Sequence, residues 1–298
     1  MVGDTMLSMK ANMYWYNPID QMSLILKAYV LSPTMSKSRT GLIWVLNGGA
    51  HFRAQISNDA HRILDIGTGT GIWAIDVADE YPSAEVTGTD LSPIQPSWVP
   101  PNCHFIVDDV ESPWAWTEST PFDYIHGRNL AGSIKDWEEL LKTCMRHLGS
   151  GGWAEFQEIE FNICSDDDTA KEAKQLQEWR KLTIAASEKF GRSMNVAGDL
   201  KKSFTDAGFE NIKDDVFKLP IGPWPKNKKL KELGAFGRQN TIDIVEPAAL
   251  ALLTRVSGWS NEEAQVFFAS VRQEIKDPKL HLYWRVHFVY GQKPKTVA

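Results

Sequence analysis

The chain has 298 residues, 43% hydrophobic and 23% charged, with a net charge of −6. That length can bury one large core or two modest ones, and the acidic balance excludes a general affinity for nucleic acid, which needs a cationic face. Cys103, Cys144 and Cys164 form no C-x-x-C pair and have no neighbouring histidine pair, which excludes a disulfide framework and a zinc site and fits a reducing compartment; no metal is expected.

Met1-Val2-Gly3-Asp4 lacks a basic n-region, and no run of about 18 apolar residues occurs. The expectation is a soluble, cytoplasmic protein without a membrane partner; a nuclear location stays open, because a partner can carry the chain there. Residues from about 10 to 60 read as mixed helix and loop, with Leu24, Leu26, Tyr29 and Leu31 giving a partly apolar face. Segment 1–60 has two readings, a lid over a ligand or simple packing against a sheet edge.

From Arg62 strand and helix alternate regularly, which implies a parallel sheet with helices on both faces. The first strand runs into Asp65-Ile66-Gly67-Thr68-Gly69-Thr70-Gly71 and opens onto a helix. Alternating glycines let backbone N–H groups approach a ligand closely, with a helix amino end beyond. Asp65 suits a cationic amino group and not a pyrophosphate. A dinucleotide fold is excluded because Ile72 stands where G-x-G-x-x-G needs its last glycine, and no P-loop occurs. These features point to S-adenosylmethionine.

A second strand, Glu85–Asp90, ends in an acid about 20 residues past the turn, placed to accept bonds from both ribose hydroxyls. A third, His104–Val107, ends in Asp108-Asp109-Val110, where an acid meets an adenine amino group beside an apolar contact. A fourth runs from Phe122 to His126. A helix from about Ile134 to His147 stops at Gly149-Ser150-Gly151-Gly152, and a fifth strand spans Trp153 to Gln157.

The acidic break Ser165–Thr169 precedes a helix with Ala173, Leu176, Trp179, Thr183, Ala186 and Phe190 at helical spacing, read equally as core or substrate cover. A short helix to Asp206 ends at Gly208, a left-handed cap, before a strand from Ile212 to Leu219. A second helical insertion follows; Lys226, Lys228, Lys229 and Lys231 read as its solvated start, and Ser260-Asn261-Glu262-Glu263 as a capping box. The last strand runs from Leu280 to Tyr290. The domain is therefore 61–298, with helical cap insertions near 166–192 and 222–277.

The run Arg62–Asp76 resembles class I S-adenosylmethionine-dependent methyltransferases. Gly88–Cys103, with its Leu91-Ser92-Pro93-Ile94-Gln95-Pro96-Ser97-Trp98-Val99-Pro100-Pro101-Asn102 core, Asp108–Glu111 and Arg128–Ile134 are similar to the LaeA-like methyltransferases of filamentous fungi. Leu46-Asn47-Gly48-Gly49-Ala50 resembles that family's glycine turn ahead of the domain, whereas Pro18–Leu24 departs from its pattern. The resemblance implies a Rossmann-like α/β fold, a seven-stranded mostly parallel sheet with an antiparallel last strand. It implies cofactor contacts at Asp65, Gly67, Thr68, Gly69, Gly71, Asp90, Leu91, Asp109, Val110 and Arg128, the last at the cofactor's amino-acid end.

Methyl transfer needs acceptor and methyl in line in a dry pocket, and a base only where the acceptor must lose a proton. His126 and Glu158 are the candidate bases, since His126 and Arg128 share a pleat face at the end of the fourth strand and Glu158 follows the fifth. His281 and His287 flank the last strand and read as surface residues. Two functions are expected from these features, methylation of a small-molecule acceptor in fungal secondary metabolism, or a regulatory LaeA-like subunit with a velvet-type partner. A third reading keeps the pocket for binding or for a non-methylating reaction.

Overall fold

In a computed structural model, residues 41–114 and 120–296 are described; Leu24, Leu26, Tyr29, Leu31 and the Pro18–Leu24 departure lie outside them. Seven strands form one sheet in the order β3-β2-β1-β4-β5-β7-β6. They are β1 (Arg62–Ile66), β2 (Glu85–Asp90), β3 (Cys103–Val107), β4 (Phe122–Arg128), β5 (Leu148–Cys164), β6 (Glu210–Pro220) and β7 (Tyr283–Gln292). The first five pair in parallel, and β7 runs antiparallel between β5 and β6. The sheet is thus the Rossmann-like class I arrangement expected from the sequence.

The central strands read as near-continuous apolar runs because both faces are covered. On one face, α1 (Ile72–Glu80) packs Trp73, Ala74 and Val77 against Ile63, Val86 and Tyr124. On the other, α2 (Trp137–His147) and α4 (Leu200–Asp206) pack Leu140, Leu141 and Phe204 against Leu64, Ile125 and Phe156. Helix α2 starts three residues later than its apolar pattern suggests, because the Asp136 side chain caps it by accepting the Glu139 N–H at 2.9 Å.

Strand β5 is far longer than its apolar core, extending at both ends to 17 residues. From Trp153 onward it pairs with β7, and β7 with β6, as an antiparallel extension. Onto that extension pack α3 (Lys174–Phe190), α5 (Lys228–Arg255) and α6 (Asn261–Glu274). Trp179, Val245, Ala249 and Phe268 meet Phe161, Trp284 and Val286 in this second core, joined by Leu42 and Ile43 from upstream of β1. The capping box at Ser260 and Glu263 starts α6, with bonds of 3.1 and 2.8 Å. The acidic break is pinned, with Asp166 on Lys218 and Asp167 on His281.

Candidate functional site

The turn after β1 has positive φ at Gly67, Gly69 and Gly71, at 63°, 60° and 79°. Glycine is required there for space as well. A Cβ on Gly67 would lie 2.4 Å from Leu130 Cδ2, and one on Gly71 would lie 2.3 Å from Phe105 Cζ. The expected role of the turn's N–H groups needs correction. Thr68 donates to the Thr89 carbonyl, Gly69 to Asp90 Oδ2 and Gly71 to the Thr68 carbonyl, at 2.9, 3.0 and 3.0 Å. These three donors hold the turn itself, and its glycines leave the backbone open to close approach.

Three acids end β1, β2 and beyond β3 at the same edge of the sheet. Asp65 is buried; its Oδ2 accepts the Thr68 hydroxyl at 2.6 Å and its Oδ1 meets His126 Nδ1 at 2.7 Å. Asp90 is also buried and accepts the Gly69 and Ser92 N–H groups, one on each oxygen. Leu91 and Ser92 begin a loop that Gln95 folds back by donating to the carbonyls of Gly69 and Ser92 at 2.7 and 2.9 Å. Asp109 is half-buried and accepts the Glu111 N–H, while Val110 is buried and its carbonyl accepts Trp114 Nε1. Arg128 is half-buried; burial lowers its pKa, opposed by Asp65, Asp76 and Glu158, and the guanidinium stays charged.

His126 does not border a crevice as its position at a strand end suggests. Its side chain is fully buried on the α1 face, stacked on Trp73 with ring centroids 3.8 Å apart and planes 7° from parallel. Burial lowers its pKa, while Asp65 and Gln157 pull upward. Gln157 Nε2 donates to Glu155 Oε1 at 2.8 Å and to the His51 carbonyl at 3.1 Å. Glu155 Oε2 accepts the N–H groups of Arg53 and Ala54 at 2.7 and 2.8 Å, and burial raises its pKa. Residues 51–54 therefore form a strap across the sheet ahead of β1.

Glu158 lies inside β5, not after it, and is 1% exposed. Its two oxygens accept the N–H groups of Leu130 and Ala131, at 2.6 and 3.2 Å, moulding the loop beyond β4. In that loop Asn129 and Gly132 have positive φ, and Gly132 donates to the Ser193 carbonyl at 2.9 Å. Arg192 closes the same region by pairing with Glu111 at 2.6 Å.

Between this loop and the helical cap lies a cavity of about 80 Å³. Glu158, Asn129 and Ala131 form its floor, and Phe161, Asn240 and Trp284 are among its walls. Thr241, also in the wall, accepts Trp284 Nε1 at 3.0 Å and donates to the Gly237 carbonyl at 2.8 Å. Leu130 links cavity to turn: its side chain rests on Gly67, and its two chain neighbours line the cavity.

A family model described as a methyltransferase domain matches residues 46–214. Methyltransferase pytC of Aspergillus terreus is 43% identical over 244 residues, covering 82% of this chain and 75% of that protein. The secondary metabolism regulator LAE1 of Cochliobolus heterostrophus is 35% identical over 257 residues, covering 84% and 83%. The chain belongs to the LaeA-like methyltransferases. A solved coclaurine N-methyltransferase, bound to N-methylheliamine and S-adenosylhomocysteine, matches the fold with a TM-score of 0.50 at 16% identity, over 85% of this chain and 72% of that one. Enzymes of this class draw their methyl group from S-adenosylmethionine.

In this methyltransferase the turn and the three acids were visible as motifs, but the cavity was not. Its walls come from Met194, Leu219, Ile244 and Trp284, residues far apart in sequence with ordinary core character. Glu155 and Gln157 were missed although a signal existed. Polar side chains alternating within a strand covered on both faces need buried partners, and so mark a network.

Proposed function

We propose that this methyltransferase transfers the methyl group of S-adenosylmethionine to a small-molecule acceptor seated in the cavity under the helical cap. The observation that carries the reading is Leu130, which places the cavity floor one residue from the glycine turn. Bound at the turn, the cofactor supplies an electrophilic methyl on a sulfonium. Asp90 suits the ribose hydroxyls, because each of its oxygens has taken one backbone N–H and keeps a further lone pair. Arg128 suits the amino acid's carboxylate, Asp65 with Thr68 its ammonium, and Leu91, Asp109 and Val110 the adenine edge. Gly67, Gly69 and Gly71 leave the backbone bare where the ligand must approach.

The enzyme's contribution is to hold acceptor and methyl in line at about 3–3.5 Å with water excluded. Glu158 acts in this reading as the builder of the cavity floor, with both oxygens engaged by backbone donors. The mostly apolar walls with the carboxamides of Asn129 and Asn240 suit a molecule with an apolar body and a few polar groups. Secondary metabolism of a filamentous fungus is the setting.

The test incubates the purified chain with methyl-labelled S-adenosylmethionine and a low-molecular-mass extract of a producing culture. Label in a small molecule supports the proposal. The similarity to the regulator LAE1 favours a second reading, a regulatory subunit with a velvet-type partner; label confined to protein, or none until such a partner is added, decides for it.

A further inference from the structure

We infer that His126 is a positioning residue that makes the glycine turn and the strap at residues 51–54 order as one unit. Buried contacts lead from the turn to the strap. Thr68 holds Asp65 at 2.6 Å, Asp65 holds His126 at 2.7 Å, and the His126 ring stacks on Trp73 with centroids 3.8 Å apart, while on the next strand Gln157 holds Glu155 at 2.8 Å; His126 Nε2 and Gln157 Oε1 are both buried without a hydrogen-bond partner, so the step from ring to strap passes through Trp73. Glu155 in turn receives both strap N–H groups. Asp65, His126 and Glu155 are register partners on three adjacent strands, so the path crosses the sheet at one level. All the side chains involved, from Asp65 to Glu155, are at most 9% exposed, so water cannot substitute for a broken link.

Trp73 completes the path. Trp73, stacked on His126, donates its Nε1–H to the His51 carbonyl at 3.1 Å, and its helix begins directly at Gly71. A displacement of the turn therefore moves the Asp65–His126 pair and the first turn of α1 together, and Trp73 carries both to the strap. The strap also carries His51, whose imidazole sits in the fields of Asp76 and Arg128 and lies 3.6 Å from Glu80. Tightening of the strap thus holds the His51 imidazole, whose pKa burial lowers, in the field of Arg128, the side chain assigned above to the cofactor's carboxylate. The inference rests on that assignment for its direction, since the turn is where the ligand acts.

Hydrogen exchange of the full chain, with and without S-adenosylhomocysteine, tests it. In the wild type, ligand should slow exchange at least tenfold both in the turn peptide and at the Arg53 and Ala54 amides. His126→Asn keeps a donor near the Nδ1 position for Asp65 but has no ring to stack on Trp73. This variant should keep ligand protection of the turn and lose that of the strap. Trp73→Phe, which drops the bond to the His51 carbonyl, should behave alike without touching Asp65. Strap protection persisting in both variants overturns the inference, as does a wild-type strap left unprotected while the turn is protected. Should the ligand protect neither, the cofactor reading fails and the unliganded chain decides the coupling. Asp65→Asn should then speed strap exchange at least tenfold relative to a peptide of α6, and an unchanged ratio overturns it.

Discussion

Replacing Asp90 by alanine separates two tasks that one carboxylate performs. In the folded chain Asp90 accepts the buried Gly69 N–H at 3.0 Å and the Ser92 N–H at 2.9 Å. Removing it leaves both donors without a partner, at about 1–3 kcal/mol for the buried one and less for the other. The sum, about 2–4 kcal/mol, corresponds to a melting temperature lower by roughly 3–7 °C for a chain of this size. The ribose adds a separate loss. Two hydroxyl bonds to a charged acceptor contribute about 1.5–3 kcal/mol each, so S-adenosylhomocysteine should bind about 10²- to 10⁴-fold more weakly. Calorimetric titration below the melting transition, beside thermal melts, reads the two effects independently. A variant that melts lower but binds within twofold of wild type refutes the ribose assignment. A variant that binds weakly but melts unchanged refutes the view that Asp90 holds the turn.

Gly71→Ala should unfold at a temperature several degrees lower, because its φ of 79° is strained for alanine and its Cβ would stand 2.3 Å from Phe105 Cζ. Phe105→Leu should recover part of that loss, and a Gly71→Ala protein as stable as wild type would refute the packing argument. Ile244→Trp should fill the cavity, abolishing acceptor turnover while leaving S-adenosylhomocysteine affinity within about twofold, checked by titration and by product formation. For His287, burial pulls the pKa down, but bonds to Asp214 at 3.0 Å and Glu160 at 3.4 Å outweigh it and raise the value. Its stabilising contribution is complete below about pH 6.5 and is lost as pH rises through the raised folded value. Denaturant titrations against pH should show that slope in wild type and not in His287→Asn.

What the sequence made legible is what local chemistry enforces. The strand ends at Asp65 and Asp90, the glycine positions and the Ser260 capping box each depend on neighbours within a few residues, and all take the predicted form. The antiparallel β7 followed from the family resemblance. The length of β5 was not legible, because beyond Gln157 the run Glu158-Ile159-Glu160-Phe161-Asn162-Ile163 alternates as a half-exposed strand does, and its partner in β7 is more than a hundred residues away. His126 was misplaced for a related reason. Strand position fixes its pleat face, but only the fold reveals that Trp73 covers that face.

The added length of β5 explains how one sheet serves two purposes. Within four residues the strand carries Glu155 and Gln157 toward the α1 face and Glu158 toward the opposite one. The first pair holds the strap, whereas Glu158 holds the loop that floors the cavity. A few residues on, Phe161 and Ile163 of the same strand enter the core of the helical cap. Glycine turn, strap, cavity floor and cap are thereby referred to one rigid element. A parallel strand that stopped at Gln157 would leave the cap on a flexible tether, with no fixed distance from cavity wall to glycine turn. The proposed in-line transfer tolerates little error in that distance, and the extension of β5 is the feature that fixes the cavity relative to the turn.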